Sequence, residues 1–289
     1  KQFDEPIIDS SMIPTYLVTK EVKKHCTVAL GGDGADELFG GYSHYERILQ
    51  FHKYLKYSPY YLNKAFLRLA TSFLPEDFKG SNWVNSLHFN YNTNSPLVAN
   101  YFDTRKRQRL LPNKNKSLIK YAENFHNEIS YLDKSLLQRI TKTDFSTYLV
   151  EDILVKVDRA SMMNSLEIRA PFLDHRIIEF AFSKVPDIFK VNQGQKKVLL
   201  QQYASEILPN NFDFGRKQGF SIPLSSWLKK GSFKDFFYDT LLSNECFFNR
   251  DEILKTLKSN AKGRNNSEKI FGLVMFELWR KNYNAELKQ

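Results

Sequence analysis

Five glycines and three carboxylates lie within twelve residues near the start of this sequence. Residues 31–42 read Gly-Gly-Asp-Gly-Ala-Asp-Glu-Leu-Phe-Gly-Gly-Tyr and directly follow the apolar run Val-Ala-Leu. Glycines let backbone N–H groups approach a phosphate or carbonyl oxygen closely, and a helix that follows would direct its positive end the same way. This composition predicts a loop that binds a phosphate-bearing ligand.

The acidic residues of the loop indicate what chemistry could accompany binding. Asp33 and Asp36 are three residues apart, so that one can bind Mg²⁺ or an ammonium group while the other accepts a proton. A plain glycine turn explains the same residues, with Asp33 or Asp36 as a helix N-cap and Glu37 as a first-turn acid. The pattern leaves both interpretations open, because the loop is neither a Walker P-loop nor a GxGxxG loop.

The elements that must position this loop resemble half of an α/β unit. Residues 13–24 have helical spacing and residues 27–30 are a short β-prone run, which places the loop at the carboxyl end of a strand, where parallel sheets bind ligands. Strand signals nearly vanish after the loop. The predicted fold class is mostly α with a short parallel β element. Residues 1–50 would be the remnant of an α/β nucleotide-binding core, and residues 51–289 would be mainly helical.

Three apolar stripes with helical spacing predict helices that face a core. They comprise Leu132, Leu136, Leu137 and Ile140; Leu199, Leu200, Tyr203, Ala204 and Ile207; and Ile270, Val274 and Leu278. One or two strands among so many helices cannot complete a parallel sheet. We therefore expect further strands upstream of Lys1.

The composition is that of a folded globular protein. Of the 289 residues, 42% are hydrophobic and 15% are aromatic, which is enough to fill a core. Charged residues interrupt every apolar stretch, so we expect neither a membrane span nor a membrane partner. Cys26 and Cys246 form no CxxC motif, which predicts no zinc site and no disulfide framework, leaves one pair open and suits a reducing cytoplasm.

The net charge of +10 would attract polyanions, so nucleotide phosphates, nucleic acid and an acidic neighbouring domain are all admissible partners. The densest basic run is Arg105, Lys106, Arg107 and Arg109, which lacks an aromatic RNA-binding signature and a helix-turn-helix context. We interpret this run as a solvated helix face and expect no nucleic-acid partner. The six histidines share no short motif with serine or cysteine, so no nucleophilic triad is indicated.

Residues 31–42 resemble the second signature of the asparagine synthetase family, commonly Ser-Gly-Glu-Gly or Ser-Gly-Asp-Gly followed by x-Asp-Glu-x-Phe-Gly-Gly-Tyr. Three further blocks agree in order: residues 11–17, residues 152–162 with 166–174, and Lys197 with residues 216–223 and Trp227. The resemblance spans nearly the whole chain. It implies a synthetase domain of the adenine nucleotide alpha hydrolase (ATP pyrophosphatase) type, of which this chain would be the carboxy-terminal part.

The same resemblance implies a cytoplasmic, two-step ligase that makes asparagine. The side-chain carboxylate of aspartate attacks the α-phosphate of ATP and releases pyrophosphate. Ammonia, supplied from glutamine in the full enzyme, then displaces AMP from the β-aspartyl adenylate. ATP and Mg²⁺ are the implied cofactors, and a homodimer is an open alternative to a monomer.

The family's loop residues carry over by position. The implied ATP-binding residues are Leu30, Gly31 and Gly32. Asp33 falls on the acid that takes a proton from the attacking ammonia. Asp36 and Glu37 fall on substrate ligands, with Asp36 also a metal ligand. Gly31 replaces a frequent serine and Asp33 replaces a frequent glutamate.

Two lysines, Lys156 and Lys197, are the implied catalytic cations, because fixed positive charge stabilises the charge that develops on the phosphates. Lys196 is the competing register for Lys197. For Lys156, local salt bridges with Asp152 and Asp158 on the same predicted helix are the structural alternative.

Three further basic residues stand in the matching blocks. Arg169 precedes a Pro-Phe-Leu-Asp turn, and we interpret it as ordering that turn rather than contacting substrate. Arg216 and Lys217 precede a glycine in a predicted loop, where phosphate contact and structural pairing both remain open.

Two parts of the family pattern are missing from these residues. The first signature, a Ser-Gly-Gly-x-Asp-Ser loop that grips pyrophosphate, does not occur, and neither does a glutaminase domain with its amino-terminal cysteine. We expect both upstream of Lys1, with the glutaminase domain as a partner of this one. The chain alone would then bind ATP weakly and be inactive.

Other functions remain open beside asparagine synthesis. Relatives that amidate another carboxylate, such as a sugar acid of a surface polysaccharide, use the same chemistry, and a β-lactam-forming relative fits least well because Asp33 suits ammonia as the nucleophile. A non-catalytic interaction module with a basic surface is the alternative from a different class.

Overall fold

The computed structural model describes residues 2–55, 101–112, 119–128, 135–214, 221–264 and 266–285. These residues form a mostly helical fold with a small parallel sheet, as predicted. In chain order the helices are α1 (Met12–Val22), α2 (Ala35–Phe39), α3 (Ser43–Leu55), α4 (Thr104–Leu110), α5 (Tyr121–Glu128), α6 (Leu136–Ser146), α7 (Val155–Met162), α8 (His175–Ser183), α9 (Asp187–Lys190), α10 (Val198–Ile207), α11 (Leu224–Trp227), α12 (Ser232–Leu242), α13 (Arg250–Ala261) and α14 (Ser267–Asn282).

The parallel sheet has two strands in the described part of the chain, β1 (Val28–Leu30) and β2 (Glu167–Arg169). Ala29 pairs with Ile168, and the backbone N–H of Gly31 extends the ladder by donating to the carbonyl of Arg169 at 2.8 Å. The partner strand thus lies beyond residue 50, in the segment expected to be mainly helical. A second, antiparallel pair joins β3 (Val191–Asn192) to β4 (Gln195–Lys196).

Helix α1 packs against α7, which brings the beginning of the chain beside its middle. The Asn164 side chain fastens the two helices, because its amide donates to the Tyr16 carbonyl at 3.1 Å and to the Thr19 hydroxyl at 3.0 Å. A six-residue π-helix, Leu149–Leu154, runs directly into α7. Such π-turns re-aim the side chains that follow them and are frequent at functional sites.

Two of the three predicted apolar stripes face a core. Leu137 and Ile140 of α6 are buried against α3, and Ile270 and Val274 of α14 are fully buried in a core formed by the C-terminal helices. Leu132 of the first stripe lies outside the described residues. The prediction for α10 is wrong at its outer end, since Tyr203 is 61% exposed. Helical spacing shows which residues share a face, but neighbouring elements decide whether that face is covered.

The interpretation of the basic run as a solvated face is also wrong. Lys106 is only 6% exposed, and Arg107 pairs with Glu123 while donating to the Ile119 and Phe102 carbonyls. Arg109 pairs with Glu252 at 3.3 Å. These cations join α4 to α5 and α13, so they have a structural role.

The described residues also bear on the predictions about disulfides and membrane spans. Cys26 and Cys246 are both free cysteines. Among the helices that the structure describes, none is long and apolar enough to cross a membrane.

Candidate active site

A cavity of about 530 Å³ opens at the carboxyl end of β1, between α1 and α7; we call it the β1 cavity. The predicted site residues in its wall are Leu30, Gly31, Gly32, Asp33, Asp36, Glu37 and Lys156. Lys197 is not in the wall but contacts it through Asp36. The fold thus gathers in one place residues that the sequence separates widely.

The glycines of the loop have structural reasons of their own. Gly34 precedes α2 with φ of 89° and Gly40 follows it with φ of 74°, a left-handed conformation that favours glycine. A Cβ on Gly34 would lie 2.4 Å from a side-chain carbon of Leu173. The N-cap of α2 is therefore Gly34, and the alternative that Asp33 or Asp36 caps it is wrong. Asp36 and Glu37 are its first-turn acids.

The Asp33 side chain folds back over the loop, so that its carboxylate lies next to Gly31. A Cβ on Gly31 would lie only 2.8 Å from the Asp33 Oδ2. The carboxylate can occupy this position because Gly31 has no side chain. Burial raises the pKa of Asp33, the charge of Lys156 opposes the rise, and the charge of Asp36 adds to it. A carboxyl group with a raised pKa is a better proton acceptor when ionised than an ordinary surface aspartate.

Asp36 and Lys197 form an ion pair of 2.8 Å between Oδ1 and Nζ. Lys197 has φ of 53°, a left-handed conformation at the N-cap of α10. The pair covers Gly41, where a Cβ would lie 1.7 Å from the Asp36 Oδ1 and 2.3 Å from the Lys197 Cε. Lys196, the competing register, instead donates to the Ser43 hydroxyl at 3.0 Å. The second glycine of the Phe-Gly-Gly-Tyr sequence therefore makes room for an ion pair.

Glu37 is 1% exposed and accepts a hydrogen bond from the Tyr42 hydroxyl at 2.5 Å. Burial raises the pKa of Glu37, the Tyr42 hydrogen bond opposes the rise, and the charges of Asp36 and Asp144 add to it. Its carboxylate is engaged beneath the cavity wall, which gives Glu37 a structural partner in addition to its predicted role as a substrate ligand.

Lys156 is 9% exposed and pairs with Asp9, with 2.6 Å between Nζ and Oδ2. The structural alternative, local salt bridges with Asp152 and Asp158, is wrong: among the described residues Lys156 forms an ion pair with neither, and Asp158 lies 3.5 Å from Arg159. Burial alone would raise the pKa of Asp9, but Lys156 and Ser11 outweigh it and hold that pKa below its usual value. Burial, with help from Asp9, raises the pKa of Asp152 to about 6.

Three residues of this region were not predicted from the sequence. Asp9 accepts from the Ser11 backbone N–H and hydroxyl, each at 2.8 Å, and its position two residues before a serine was the available signal for such a turn. Tyr42 ends the loop motif, yet its contact with Glu37 depends on the αL turn at Gly40. Tyr148 lines the cavity from the start of the π-helix, where no local pattern marks it.

The basic residues of the matching blocks behave differently from one another. The Arg169 side chain is exposed and pairs with Glu167 at 2.7 Å, so the interpretation that it orders the following turn is wrong. Its backbone carbonyl, by contrast, fixes Gly31. Arg216 and Lys217 lie outside the described residues.

The predicted Mg²⁺ was tested against the available ligands. Among the described residues, no group of three His, Cys, Asp or Glu side chains is placed to hold one metal ion. Asp36, the predicted metal ligand, is paired with Lys197. These residues do not fit a resident ion in an all-protein site. Mg²⁺ that arrives with phosphates needs only one or two carboxylates, and Asp36 stays the predicted one.

Comparisons with known proteins bear on the whole chain. The family model described as asparagine synthase matches residues 1–281. The chain is 34% identical to the glutamine-hydrolysing asparagine synthetase 1 of Bacillus subtilis (strain 168) over 288 residues, which cover 96% of this chain and 44% of the relative. It is 25% identical to asparagine synthetase 3 of the same organism over 266 residues, which cover 88% of this chain and 36% of that relative. It thus spans less than half the length of these two relatives.

Proposed function

This chain belongs to the asparagine synthase family, and we propose that its β1 cavity serves ATP-dependent amide formation. ATP use follows from the family. The specific reaction proposed is the one for which its relatives are named, in which aspartate becomes asparagine. One observation carries the proposal: the loop backbone, the carboxylates Asp33 and Asp36, and the cation Lys156 line one cavity at the end of a parallel strand.

The proposed reaction proceeds in two balanced steps. A carboxylate oxygen of aspartate attacks the α-phosphorus of ATP, and the bond to the bridging oxygen breaks as pyrophosphate leaves with the electron pair. Ammonia then adds to the activated acyl carbon and loses a proton. The carbon–oxygen bond to AMP breaks, which leaves asparagine. Dividing the reaction in this way replaces a poor carboxylate electrophile with an acyl phosphate.

In the proposed reaction the loop residues bind the nucleotide and accept a proton. The backbone of Leu30, Gly31 and Gly32 lies along the nucleotide, and the space around Gly32 is open to at least 4 Å from an added Cβ. Asp33 receives the ammonia proton, because its half-buried carboxylate lines the same cavity.

The two lysines supply positive charge from two different helices, α7 and the N-cap of α10. Lys156 is held by Asp9, and Lys197 is held by Asp36. Anchored cations of this kind stabilise developing phosphate charge without having to reorganise. Asp36 therefore has two tasks in this scheme, which are to hold Lys197 and to bind substrate or phosphate-borne Mg²⁺.

The proposal is tested on the longest natural form of the protein that carries these 289 residues. Pyrophosphate release from ATP should depend on both aspartate and a source of ammonia, and AMP and asparagine should appear in equal amounts. Formation of ADP and phosphate would contradict an adenylate route. Pyrophosphate release with a sugar acid, but not with aspartate, would support ATP-dependent amide formation but show that the substrate carboxylate is not that of aspartate.

Adjacent lysines provide a matched pair of variants. Lys197→Gln should reduce pyrophosphate release by about tenfold to a hundredfold, as expected when one fixed donor of a charge-stabilising site is removed. Lys196→Gln removes the same charge next to it but leaves the Asp36 ion pair in place, so activity should stay near that of the unchanged protein. Equal losses in both variants would remove Lys197 from the site.

A further inference from the structure

A second cavity lies far along the chain, among the ends of the C-terminal helices α11 to α14; we call it the basic cavity. It encloses about 450 Å³. Its charged lining residues are Lys229, Lys234 and Arg264, and no aspartate or glutamate is among the described residues that line it. Three like charges around one concave wall repel one another, so an anion bound between them would be stabilised.

None of these three cations has an ion-pair partner among the described residues. Two acids of the same region pair with other cations: Glu252 with Arg109 and Lys255, and Glu277 with Arg280. Glu268 accepts a hydrogen bond from Ser10. The exposed Asp235 and Asp239 of α12 form no ion pair with the three cations. Within the described part of the chain, the three cations of the basic cavity are thus not neutralised by an ion pair.

The polar groups between the cations are donors or can act as donors. Ser267 is 3% exposed and begins the sixteen-residue helix α14, and its hydroxyl lies 3.1 Å from that of Ser225. The N-cap residue Asn266 makes no side-chain cap bond, so the positive end of the helix adds to the field at this cavity wall.

Tyr238 gives the cavity an aromatic wall. The ammonium of Lys234 lies 5.2 Å from the centre of its ring, which fixes that cation by a cation–π contact. The Tyr238 hydroxyl is buried and makes no full hydrogen bond within the described part of the chain. Burial raises the pKa of Tyr238, although the neighbouring Asn260 side chain moderates the rise. The hydroxyl therefore stays protonated at neutral pH.

We propose that the basic cavity binds a small phosphorylated anion. Its volume is within the range of small-ligand sites. Two lysines and an arginine can neutralise a phosphate or diphosphate group, with the arginine able to bind two oxygens at once. The apolar Leu228 and the Tyr238 ring leave room for a compact organic part of the ligand. This site is separate from the β1 cavity and does not depend on the amide-forming reaction.

Inorganic pyrophosphate is the probe, titrated into the protein by calorimetry at a physiological salt concentration. Arg264→Gln and Lys234→Gln should each weaken binding by about tenfold, the loss expected for one charge-assisted contact. Lys258→Gln is the matched control, because Lys258 is an exposed residue of α13 that does not line the cavity. It should leave binding within about twofold, a rim charge of this kind being worth little.

Three outcomes would overturn the proposal. If Lys258→Gln weakened binding as much as Arg264→Gln, the effect would be net charge and not a site. If Lys156→Gln abolished binding while both basic-cavity variants bound normally, pyrophosphate would occupy the β1 cavity instead. Binding of a nucleic-acid oligomer without binding of pyrophosphate would make this surface an interface for a macromolecule. Thermal melting of each variant excludes loss of fold, and Arg264 is exposed enough to be replaced without it.

Discussion

The β1 cavity and the basic cavity have similar volumes, about 530 and 450 Å³, but their charged residues differ in whether they form ion pairs. The two lysines at the β1 cavity have carboxylate partners: Lys156, in its wall, is bound to Asp9, and Lys197, outside the wall, is bound to the wall residue Asp36. In the basic cavity Lys229, Lys234 and Arg264 have no ion-pair partner among the described residues. The contrast is between charges that the protein holds in place and charges that it leaves available.

Whether the charged residues form ion pairs determines what each cavity can do. Proton transfer requires groups with fixed geometry and shifted pKa values, and Asp33, Glu37 and Asp152 have raised pKa values around the β1 cavity. Holding an anion requires only net positive charge and donors. Four predictions test the contrast.

Replacing the proposed base should have the largest effect on activity. Asp33→Asn keeps the size of the side chain but cannot accept a proton, so ammonia-dependent asparagine formation should fall by about 10²- to 10⁴-fold. In the unchanged protein, the base must be ionised. Because burial raises the pKa of Asp33, the rate should fall as pH drops through that raised value, and the variant should lose this limb of its pH profile.

The exposed Asp158 on α7 is the control for charge, since it lies outside the cavity wall. Asp158→Asn should retain the activity and the pH profile of the unchanged protein. A similar pH limb in Asp33→Asn would show that another group accepts the proton.

Removing one lysine from each cavity should cost more stability where the lysine forms an ion pair than where it does not. Lys156→Met leaves Asp9 and Asp152 without their cation in a mostly buried setting, which should cost about 2–4 kcal/mol of unfolding free energy. Lys234→Gln removes an unpaired cation and should change that free energy by less than about 0.5 kcal/mol. Urea denaturation of both variants gives the two changes in unfolding free energy. Equal changes would contradict the difference in ion pairing between the two cavities.

The ion pair over Gly41 can be displaced without changing any charge. In Gly41→Ala the added methyl group occupies the place of the Asp36 carboxylate and the Lys197 side chain, and this overpacking should cost about 1–3 kcal/mol. Gly32→Ala is the stability control, because nothing lies within 4 Å of a Cβ there. If both alanine variants unfolded at the same urea concentration, the close approach at Gly41 would not be real.

The smallest effect is expected from a buried acid beside Lys156. Burial, then Asp9, raises the pKa of Asp152 to about 6, so its ionised form is disfavoured in the folded protein. This group favours folding most below its unfolded pKa, and its contribution is lost as pH rises through about 6.

Asp152→Asn should therefore increase the unfolding free energy at pH 7.5 by on the order of 1–2 kcal/mol, after allowance for partial exposure. The gain should vanish below the unfolded pKa of the acid. Melting curves for both proteins across pH provide the measurement. A constant difference at every pH would mean that the substitution acts through packing and not through ionisation.

Local sequence was enough for part of this picture. The apolar run before Gly31 specified β1 and the position of the loop, and the family resemblance read from residues 31–42 is confirmed by a match over residues 1–281. The order of the blocks also led to Lys156, which lies in the cavity wall. In each case a contiguous pattern carried the information.

Other features depend on contacts between distant segments and left no local pattern. Strand β2 is the three-residue sequence Glu-Ile-Arg, which becomes a strand only because β1 lies beside it. The partner of Lys156 is Asp9, 147 residues earlier in the chain, and not a neighbour on its own helix. Tyr203 has the spacing of a core residue, yet no described element covers it.

The pairing of β1 with β2 has a consequence for the time at which the site forms. Residues 28–30 meet residues 167–169 only after the long intervening chain has been closed into a loop, and such non-local contacts form slowly compared with helices. We expect α6 and α14 to gain hydrogen-exchange protection before the Gly31 amide, which is bonded to the Arg169 carbonyl. The β1 cavity would then be among the last parts of the protein to become ordered.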